Sequence, residues 1–345
     1  MNTNDPMAGS EPRLTPEELD TYLDAAFASL DHPPHEIRVS QLLRQPDEGI
    51  PALVEPILQR AGVACLAGSS DTGKSTLLRQ LALAVAGGDT RFLGFPIHAR
   101  HKSVIYVSTE DGQHAVRHTV RQQARSYQLD DIDGLRFIFD YEDIYPALVQ
   151  SLAARPADLI IIDCFSDIYT GDLKDTQQIR SFLKPYQLLS EREECLILFL
   201  HHTGKRTETL LPSKNNLLSG QGLEAKMRCV IELRADLGSP HDRHLCVVKG
   251  NYLSSIHKQE SFVLHFDEKH LAFTNTGERV PFELLVRQPE HDNSKEKYER
   301  AADLRAQGQS YQQIAEALGY STKSSVSALF AKAVKMGWEQ ADKAA

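Results

Sequence analysis

The stretch that decides the fold is VACLAGSSDTGKST at residues 63–76. The apolar run from Val63 to Ala67 predicts a buried strand, and apolar residues recur at helical spacing from Leu77 to Val85. Between strand and helix, residues 68–75 match the pattern G-x-x-x-x-G-K-[ST] of phosphate-binding loops in the context that this pattern needs. The loop therefore predicts an ATP site formed by Gly68, Ser69, Ser70, Asp71, Thr72, Gly73, Lys74, Ser75 and Thr76.

The residue types of this loop suit a bound triphosphate. Glycines let the backbone curl so that its N–H groups point inward, and the following helix presents its positive N-terminus. Lys74 is expected to reach the β- and γ-phosphates, and Ser75 to bind Mg²⁺. Asp71 stands where many such loops carry glycine, so its carboxylate must be directed away from the phosphates.

Apolar runs that alternate with helical segments predict an α/β fold with a mostly parallel sheet and helices on both faces. After residue 228 short strands separated by turns predict an antiparallel extension of that sheet. The five predicted buried strands are Val63–Ala67, Val104–Ser108, Leu135–Phe139, Leu159–Ile162 and Leu196–Leu200, and the later ones are Cys229–Leu233, Leu245–Val248 and Phe262–Phe266.

Two carboxylates follow predicted strands at the edge where parallel strands end together. Asp163 ends LIIID and is the expected partner of Ser75 in holding Mg²⁺. Cys164 rather than glutamate follows it, so the base that orients the attacking water must come from elsewhere. Glu110, after VIYVST, is the candidate base, with a helix-capping role as the alternative. Asp111 is predicted to cap a helix from Gly112 to Arg125.

The strand CLILFL runs into HHTGK at residues 201–205. Adjacent strand residues point to opposite faces, so His201 and His202 are not expected to share a metal ion. No Cys or His elsewhere stands at metal-ligand spacing from them. One of the two histidines is expected to sense the γ-phosphate, and a simple strand-end cap is the alternative.

These residues in this order, with YVSTED at 106–111, HHTGK, and SGQGLEAKMRCVIEL at 219–233, resemble RecA-like ATPases. The resemblance is strongest to the RepA-like hexameric replicative helicases of plasmids and mobile elements, and it covers roughly residues 50–265. It implies that Lys74, Glu110, Asp163 and His202 serve hydrolysis. It also implies a ring of identical subunits, with six as the expected number.

The resemblance further implies two kinds of contact made outside the subunit's own phosphate site. A basic residue from the neighbouring subunit would complete that site, with Arg228 as first choice and Lys249 as second. Loops 165–176 and 203–221 would grip single-stranded DNA in the ring's pore, with a solvated surface loop as the alternative. The basic residues of the second loop are Lys205, Arg206 and Lys214.

Three regions are predicted: an acidic arm over 1–49 with a short helix from 16 to about 29, an ATPase domain over 50–287, and a linker with a small helical domain over 288–345. In the last, helices at 296–307, 311–319 and 322–335 have the order of a helix-turn-helix or winged-helix-like domain. Protein docking is the alternative to duplex DNA binding. The expected DNA-contacting residues are Thr322, Lys323, Lys332 and Lys335.

Composition limits the setting. The formal net charge of −9 argues against wholesale coating of nucleic acid, and the five cysteines, an odd number without a C-x-x-C pair, indicate small core residues in the cytoplasm. No secretory signal and no membrane span is expected. The function predicted is an ATP-driven motor on DNA, a helicase in replication or maintenance of a mobile element. An ATP-switched DNA-binding regulator and a KaiC-like signalling ATPase are the alternatives.

Overall fold

The computed structural model describes residues 37–47, 49–139, 143–204, 207–218, 220–286, 294–320 and 322–338. The chain divides into two compact units, residues 1–205 with 212–282, and residues 206–211 with 283–345. The helix predicted at 16–29 lies outside the described residues. Among the helices of the described part, none has the length and apolar character needed to cross a membrane.

The larger unit alternates strands and helices along the chain. Its helices are α1 (Val39–Leu42), α2 (Lys74–Gly87), α3 (Gln113–Gln123), α4 (Ile144–Ala154), α5 (Phe165–Ile168), α6 (Thr176–Glu193) and α7 (Gly220–Lys226). Its strands are β1 (Ala52–Val54), β2 (Leu58–Gln59), β3 (Gly62–Gly68), β4 (Arg91–Phe92), β5 (Phe95–Pro96), β6 (Val104–Ser108), β7 (Leu135–Phe139), β8 (Leu159–Asp163), β9 (Leu196–His202), β10 (Cys229–Ala235), β11 (Asp242–Gly250), β12 (Glu260–Asp267) and β13 (Ala272–Pro281).

Nine strands form one sheet in the order β13-β12-β11-β10-β3-β9-β8-β6-β7. The strands from β10 to β7 in this order pair in parallel, and β11, β12 and β13 add to β10 as an antiparallel half. In addition, β1 pairs with β2 and β4 pairs with β5 as two small antiparallel ribbons. The predicted mostly parallel sheet with an antiparallel extension is therefore confirmed.

Helices cover both faces of the sheet, and successive residues of β3 show why. Ala64 and Leu66 pack into a core with α2, whereas Val63, Cys65 and Ala67 pack into a second core with α4 and α6. A strand covered on both sides is apolar at every position, which is the pattern that the sequence displays. All five cysteines are buried and free, as predicted.

The strand predictions miss the short strands β1, β2, β4 and β5 and one edge strand of the large sheet. Strand β13 was not predicted, because its sequence AFTNTGERVP is mostly polar and shows no regular apolar alternation. It is held by pairing with β12, where Phe266 faces Phe273 in the register. Edge strands need only one partner and one covered face, so apolar periodicity alone does not reveal them.

The smaller unit contains three helices, α8 (Ser294–Ala306), α9 (Tyr311–Ala317) and α10 (Lys323–Met336), near the predicted bounds. Ser310 caps α9 through a reciprocal pair of bonds with Gln313. Leu318 packs against the small core of this unit and is partly buried. The buried members are Tyr298, Ala301, Ile314, Ala315, Val326, Leu329 and Ala333.

Candidate active site

The loop between β3 and α2 has a conformation that only small or flexible residues allow. A Cβ atom at Gly68 would stand 2.4 Å from the carbonyl oxygen of Leu233, so glycine is required there. Gly73 and Asp71 both adopt positive φ, at 87° and 62°. Asp71 is exposed, as its charge next to a phosphate loop requires. Aspartate is one of the few side chains that tolerate this conformation.

Lys74 is the first residue of α2 and is buried, with its Nζ donating to the carbonyl oxygen of Ser69 at 2.7 Å. Burial lowers the pKa of Lys74, and the negative groups of Glu110 and Asp163 act in the opposite direction. The ammonium group of Lys74 thus lies within the curled loop, where it can contact a phosphate bound by the backbone N–H groups.

Asp163 ends β8 beside this lysine and is also buried. The hydroxyl of Tyr106 donates to its Oδ2 at 2.6 Å. Burial raises the pKa of Asp163, whereas Tyr106, the nearby Ser75 hydroxyl and Arg79 favour the charged form. Its Oδ1 is buried and accepts no hydrogen bond from the described residues. A buried orphan carboxylate oxygen next to a serine hydroxyl fits the oxygen ligands that Mg²⁺ prefers.

Glu110 and His202 approach each other above adjacent strand ends. The distance from His202 Nε2 to Glu110 Oε1 is 3.4 Å, and both side chains are partly exposed. Glu110 follows β6 by two residues and His202 is the last residue of β9, with β8 between them in the sheet. Glu110, Asp163 and His202 thus lie at the same edge of the sheet, the edge predicted for the two carboxylates.

The two histidines differ sharply in surroundings. His201 is fully buried and packs edge-on against Phe165. Burial lowers its pKa to about 4, and neither of its ring nitrogens has a hydrogen-bond partner among the described residues. His202 is partly exposed and is the histidine beside Glu110, while its role as the γ-phosphate sensor stays a prediction.

The predicted role of Asp111 is wrong. Gly112 is the residue that precedes α3, and no side chain caps this helix. Asp111 instead pairs with Arg79 of α2 at 3.2 Å, where only 5% of the arginine side chain is exposed. A buried guanidinium needs a partner more strongly than an exposed helix end needs a cap, because leaving such a charge unpaired is costly.

Three contributors to the site escaped sequence reasoning: Tyr106, Arg79 and Arg243. Tyr106 orients Asp163, Arg79 fixes Asp111, and Arg243 of β11 donates from Nε to the carbonyl oxygen of Thr72 at 3.2 Å. Only the role of Tyr106 could have been predicted from the sequence, because the hydroxyl of a tyrosine in a buried aliphatic strand usually needs a hydrogen-bond partner. The other two depend on contacts across the sheet.

The loop after β9 is bonded to both the histidine strand and β10. Leu218 N–H donates to the carbonyl oxygen of His202 at 3.2 Å, and Gly204 N–H donates to that of Asn216 at 3.1 Å. The carboxylate of Glu232 in β10 accepts from Ser213 N–H at 3.1 Å and from the Asn216 side chain at 3.2 Å. Lys205 and Arg206 lie outside the described residues.

Two basic residues predicted for separate roles meet one carboxylate. Lys214 Nζ lies 2.9 Å and Lys249 Nζ 3.1 Å from Glu224 Oε1. Lys214, expected on DNA, thus has an acidic partner in α7. Lys249, the second choice for the basic residue that acts on a neighbour, is mostly buried.

Arg228 lies at the opposite end of the sheet from the phosphate loop. It precedes Cys229, which pairs with Ala64, and its side chain packs on Gly62 at the start of β3. The guanidinium pairs with Glu191 at 3.3 Å. Six residue steps of strand separate Gly62 from Gly68, about 20 Å at the usual rise. Arg228 therefore cannot serve the phosphate site of its own subunit.

In the smaller unit, Thr322 and Lys323 are exposed at the start of α10. Lys332 Nζ lies 5.6 Å above the ring of Trp338. The side chain of Lys335 lies outside the described ones. The residues predicted to contact duplex DNA thus share one helix, while their role stays a prediction.

Three potential metal-binding side chains come together at the crevice: Glu110, Cys164 and His202. Their ligand atoms all lie within 4.8 Å of one another. Cys164 is buried and its Sγ lies 2.9 Å from the Ser166 hydroxyl. Burial raises the pKa of its thiol to about 12. Sequence spacing could not indicate this grouping, because the three residues belong to three different strand ends.

The family profile of the AAA domain matches residues 32–208, about half of the chain, including β3, α2, β6, β8 and β9. The chain belongs to this AAA domain family. A solved structure of an ATPase domain superposes on this AAA protein with a TM-score of 0.50. The sequences are 14% identical, and the alignment covers 74% of this chain and 98% of that one. The likeness supports the RecA-like fold. A search of curated proteins found no match.

Proposed function

We propose that this P-loop ATPase hydrolyses ATP at the crevice above β3, β9, β8 and β6 and uses the energy to move along DNA. The observation that carries the proposal is the convergence of Glu110, Asp163 and His202 on the loop that holds Lys74. A capping or structural role for Glu110 would not require a partly exposed carboxylate facing a histidine across the end of β8.

Each residue of the crevice has a distinct part in the proposed reaction. Lys74 binds the β- and γ-phosphate oxygens, and Ser75 with Asp163 would hold Mg²⁺, which supplies charge neutralisation when bound. Tyr106 keeps Asp163 oriented. Glu110 accepts a proton from the attacking water, and His202 contacts the γ-phosphate from the other side of the crevice. The solved structure of similar fold is itself an ATPase domain, which agrees with this chemistry.

Coupling to nucleic acid is supported by the bonds of the loop after β9. A shift of His202 when the γ-phosphate leaves would reach Leu218 through their backbone hydrogen bond. Glu232 fixes Ser213 and Asn216 at the other side of this loop. The loop is thus held between the histidine strand and β10, next to the phosphate strand, a position suited to gripping single-stranded DNA in a nucleotide-dependent way.

The proposed mechanism requires a ring in which each subunit contacts the nucleotide of its neighbour. Arg228, placed about 20 Å of strand away from its own phosphate loop, is free of any role there and would act on the neighbouring subunit's nucleotide. In that assembly it would exchange Glu191 for phosphate oxygens. Ring formation of this kind predicts a particle of several subunits, six by the resemblance, when a non-hydrolysable ATP analogue is bound.

The deciding experiment measures steady-state ATP hydrolysis by the full chain with and without single-stranded DNA, alongside particle mass with the non-hydrolysable analogue. We expect hydrolysis to rise severalfold with DNA, and the rise to be lost in Arg228→Ala together with basal turnover. Lys184→Ala, an exposed lysine on α6, is the matched control. Hydrolysis that ignores single-stranded DNA while duplex binding persists would indicate an ATP-switched regulator instead.

The smaller unit is proposed to bind duplex DNA through Thr322, Lys323, Lys332 and Lys335. Each lost phosphate contact should reduce the slope of log affinity against log salt by about 0.9. We therefore expect the triple alanine variant of the three lysines to bind duplex more weakly and with a shallower slope, measured by anisotropy across a salt series. Equal affinity and slope would assign the unit to protein docking.

A further inference from the structure

The crevice holds a second possible binding site that ATP hydrolysis does not require. Glu110, Cys164 and His202 follow or end the neighbouring strands β6, β8 and β9, so the sheet itself brings them together. Their carboxylate oxygen, thiol sulfur and imidazole nitrogen lie within 4.8 Å of one another. Hydrolysis uses the carboxylate and the imidazole but assigns no task to the thiol.

The combination of donors selects a class of metal ion. Mg²⁺ takes oxygen ligands almost exclusively and would not recruit a sulfur atom. Zn²⁺ and similar thiophilic divalent cations accept carboxylate, imidazole and thiolate together, and three protein ligands leave one position open. The grouping therefore differs in chemistry from the Asp163 and Ser75 pair proposed for Mg²⁺.

The geometry needs only small adjustments to close around such an ion. Bonds of about 2.0 to 2.3 Å in a tetrahedral arrangement place the ligand atoms roughly 3.5 Å apart, so no two of the ligand atoms must approach by more than about 1.3 Å. Glu110 and His202 are partly exposed and can move. Cys164 is held in place, because its backbone N–H donates to the Thr109 hydroxyl at 2.8 Å.

We propose that Glu110, Cys164 and His202 bind a thiophilic divalent cation such as Zn²⁺, and that this cation arrests hydrolysis. On binding, the Sγ–H proton of Cys164 passes to solvent and a sulfur–metal bond forms, with no change in oxidation state. The carboxylate of Glu110 becomes a ligand and can no longer accept a proton from water. The binding half of the proposal stands alone, whereas the arrest rests on the proposed function.

The binding test uses Co²⁺ as a coloured probe of the full-length protein. We expect one equivalent per chain to give a thiolate-to-cobalt charge-transfer band that is absent in Cys164→Ser. Cys195→Ser is the matched control, since Cys195 is equally buried, its pKa is likewise raised to about 12, and it precedes β9 at the opposite end of the sheet. The absence of the band, or its survival in Cys164→Ser, would overturn the proposal.

A second variant shows whether loss of Co²⁺ binding in Cys164→Ser comes from a missing ligand or from a folding defect at this buried position. His202→Ala alters a partly exposed ring, and circular dichroism can verify that the fold is kept. Removal of a ligand should weaken Co²⁺ binding at least tenfold, a lower bound taken from losses caused by more distant partners. Unchanged Co²⁺ affinity in this folded variant would exclude His202 as a ligand and overturn the site as proposed.

The arrest is tested by titrating Zn²⁺ into the Mg²⁺-dependent hydrolysis assay. We expect inhibition that needs at least tenfold more Zn²⁺ in Cys164→Ser than in wild type or Cys195→Ser, each compared with its own zinc-free rate. Equal sensitivity of all three proteins would overturn the arrest. A cobalt band without any hydrolysis in wild type would instead contradict the proposed function, so the two failures are distinguishable.

Discussion

The parallel and antiparallel halves of the sheet both bury polar side chains, and the buried histidines of the two halves differ in their hydrogen bonding. In the parallel half, Oδ1 of Asp163 and both ring nitrogens of His201 have no hydrogen-bond partner among the described residues. In the antiparallel half, His244 uses both nitrogens, one with Asp236 at 2.7 Å and the other with Ser261 at 3.0 Å. An unsatisfied buried polar atom is costly, so Oδ1 of Asp163, at the edge where the parallel strands end, marks a place where a bound ion could supply the missing partner.

Asp236, His244 and Ser261 are the residue types of a hydrolytic triad, but they cannot act as one. Ser261 is fully buried, and its hydroxyl donates to the carbonyl oxygen of Val280 at 3.1 Å. A substrate could not reach it. A polar network whose hydrogen bonds are all formed stabilises one register of the strands. The crevice at β6, β8 and β9 instead keeps polar groups that destabilise the empty protein and are suited to binding a ligand.

The largest expected effect is that of Lys74→Ala in the parallel half. Loss of the charge that meets the β- and γ-phosphates should abolish measurable hydrolysis and weaken ATP binding, while the fold is kept. Hydrolysis by phosphate release and binding by a fluorescent ATP analogue would be measured, with Lys184→Ala as the exposed control. Unchanged turnover would remove the crevice from the reaction.

Ser261→Ala is the matching change in the antiparallel half. It deprives His244 of a buried partner and should lower the free energy of unfolding by about 1 to 3 kcal/mol, with hydrolysis per folded chain unchanged. Urea denaturation would measure it against Ser254→Ala, whose exposed side chain makes no capping bond. Lost turnover in the folded protein would show that this half is more than structural.

Asp163→Asn should abolish Mg²⁺-dependent hydrolysis yet stabilise the protein free of nucleotide and metal. Burial raises the pKa of Asp163 above its unfolded value, so the folded state binds this proton more tightly. The charge therefore costs stability increasingly as pH rises above 3.8. We expect a gain on the order of 1 kcal/mol at neutral pH that shrinks toward acid pH.

Thermal unfolding across a pH series in a metal chelator would measure this gain. Asp133→Asn, at an exposed position, serves as the control and should leave the unfolding curve unchanged. A destabilised Asp163→Asn at neutral pH would mean that the Tyr106 hydroxyl and Arg79 outweigh the cost of burying the carboxylate.

The same contrast explains what the sequence could predict. The phosphate loop, the buried strands and the carboxylate at the end of β8 follow local patterns, since each depends on neighbours along the chain. Contacts between residues on different strands or helices do not follow from local sequence patterns. The partner of Asp111 is Arg79 on α2, and the partners of His202 come from β6 and β8. Strand β13 was missed for the same reason, because its stability comes from β12.

In the proposed reaction Glu110, and not the adjacent Asp111, accepts the proton from water. Glu110→Gln keeps size and hydrogen bonding, so ATP binding should persist while single-turnover hydrolysis falls by about 10² to 10⁴. Asp111→Asn should stay within a few-fold of wild type, since it alters only the partner of Arg79. Hydrolysis that survives Glu110→Gln but is lost in Asp111→Asn would contradict the account.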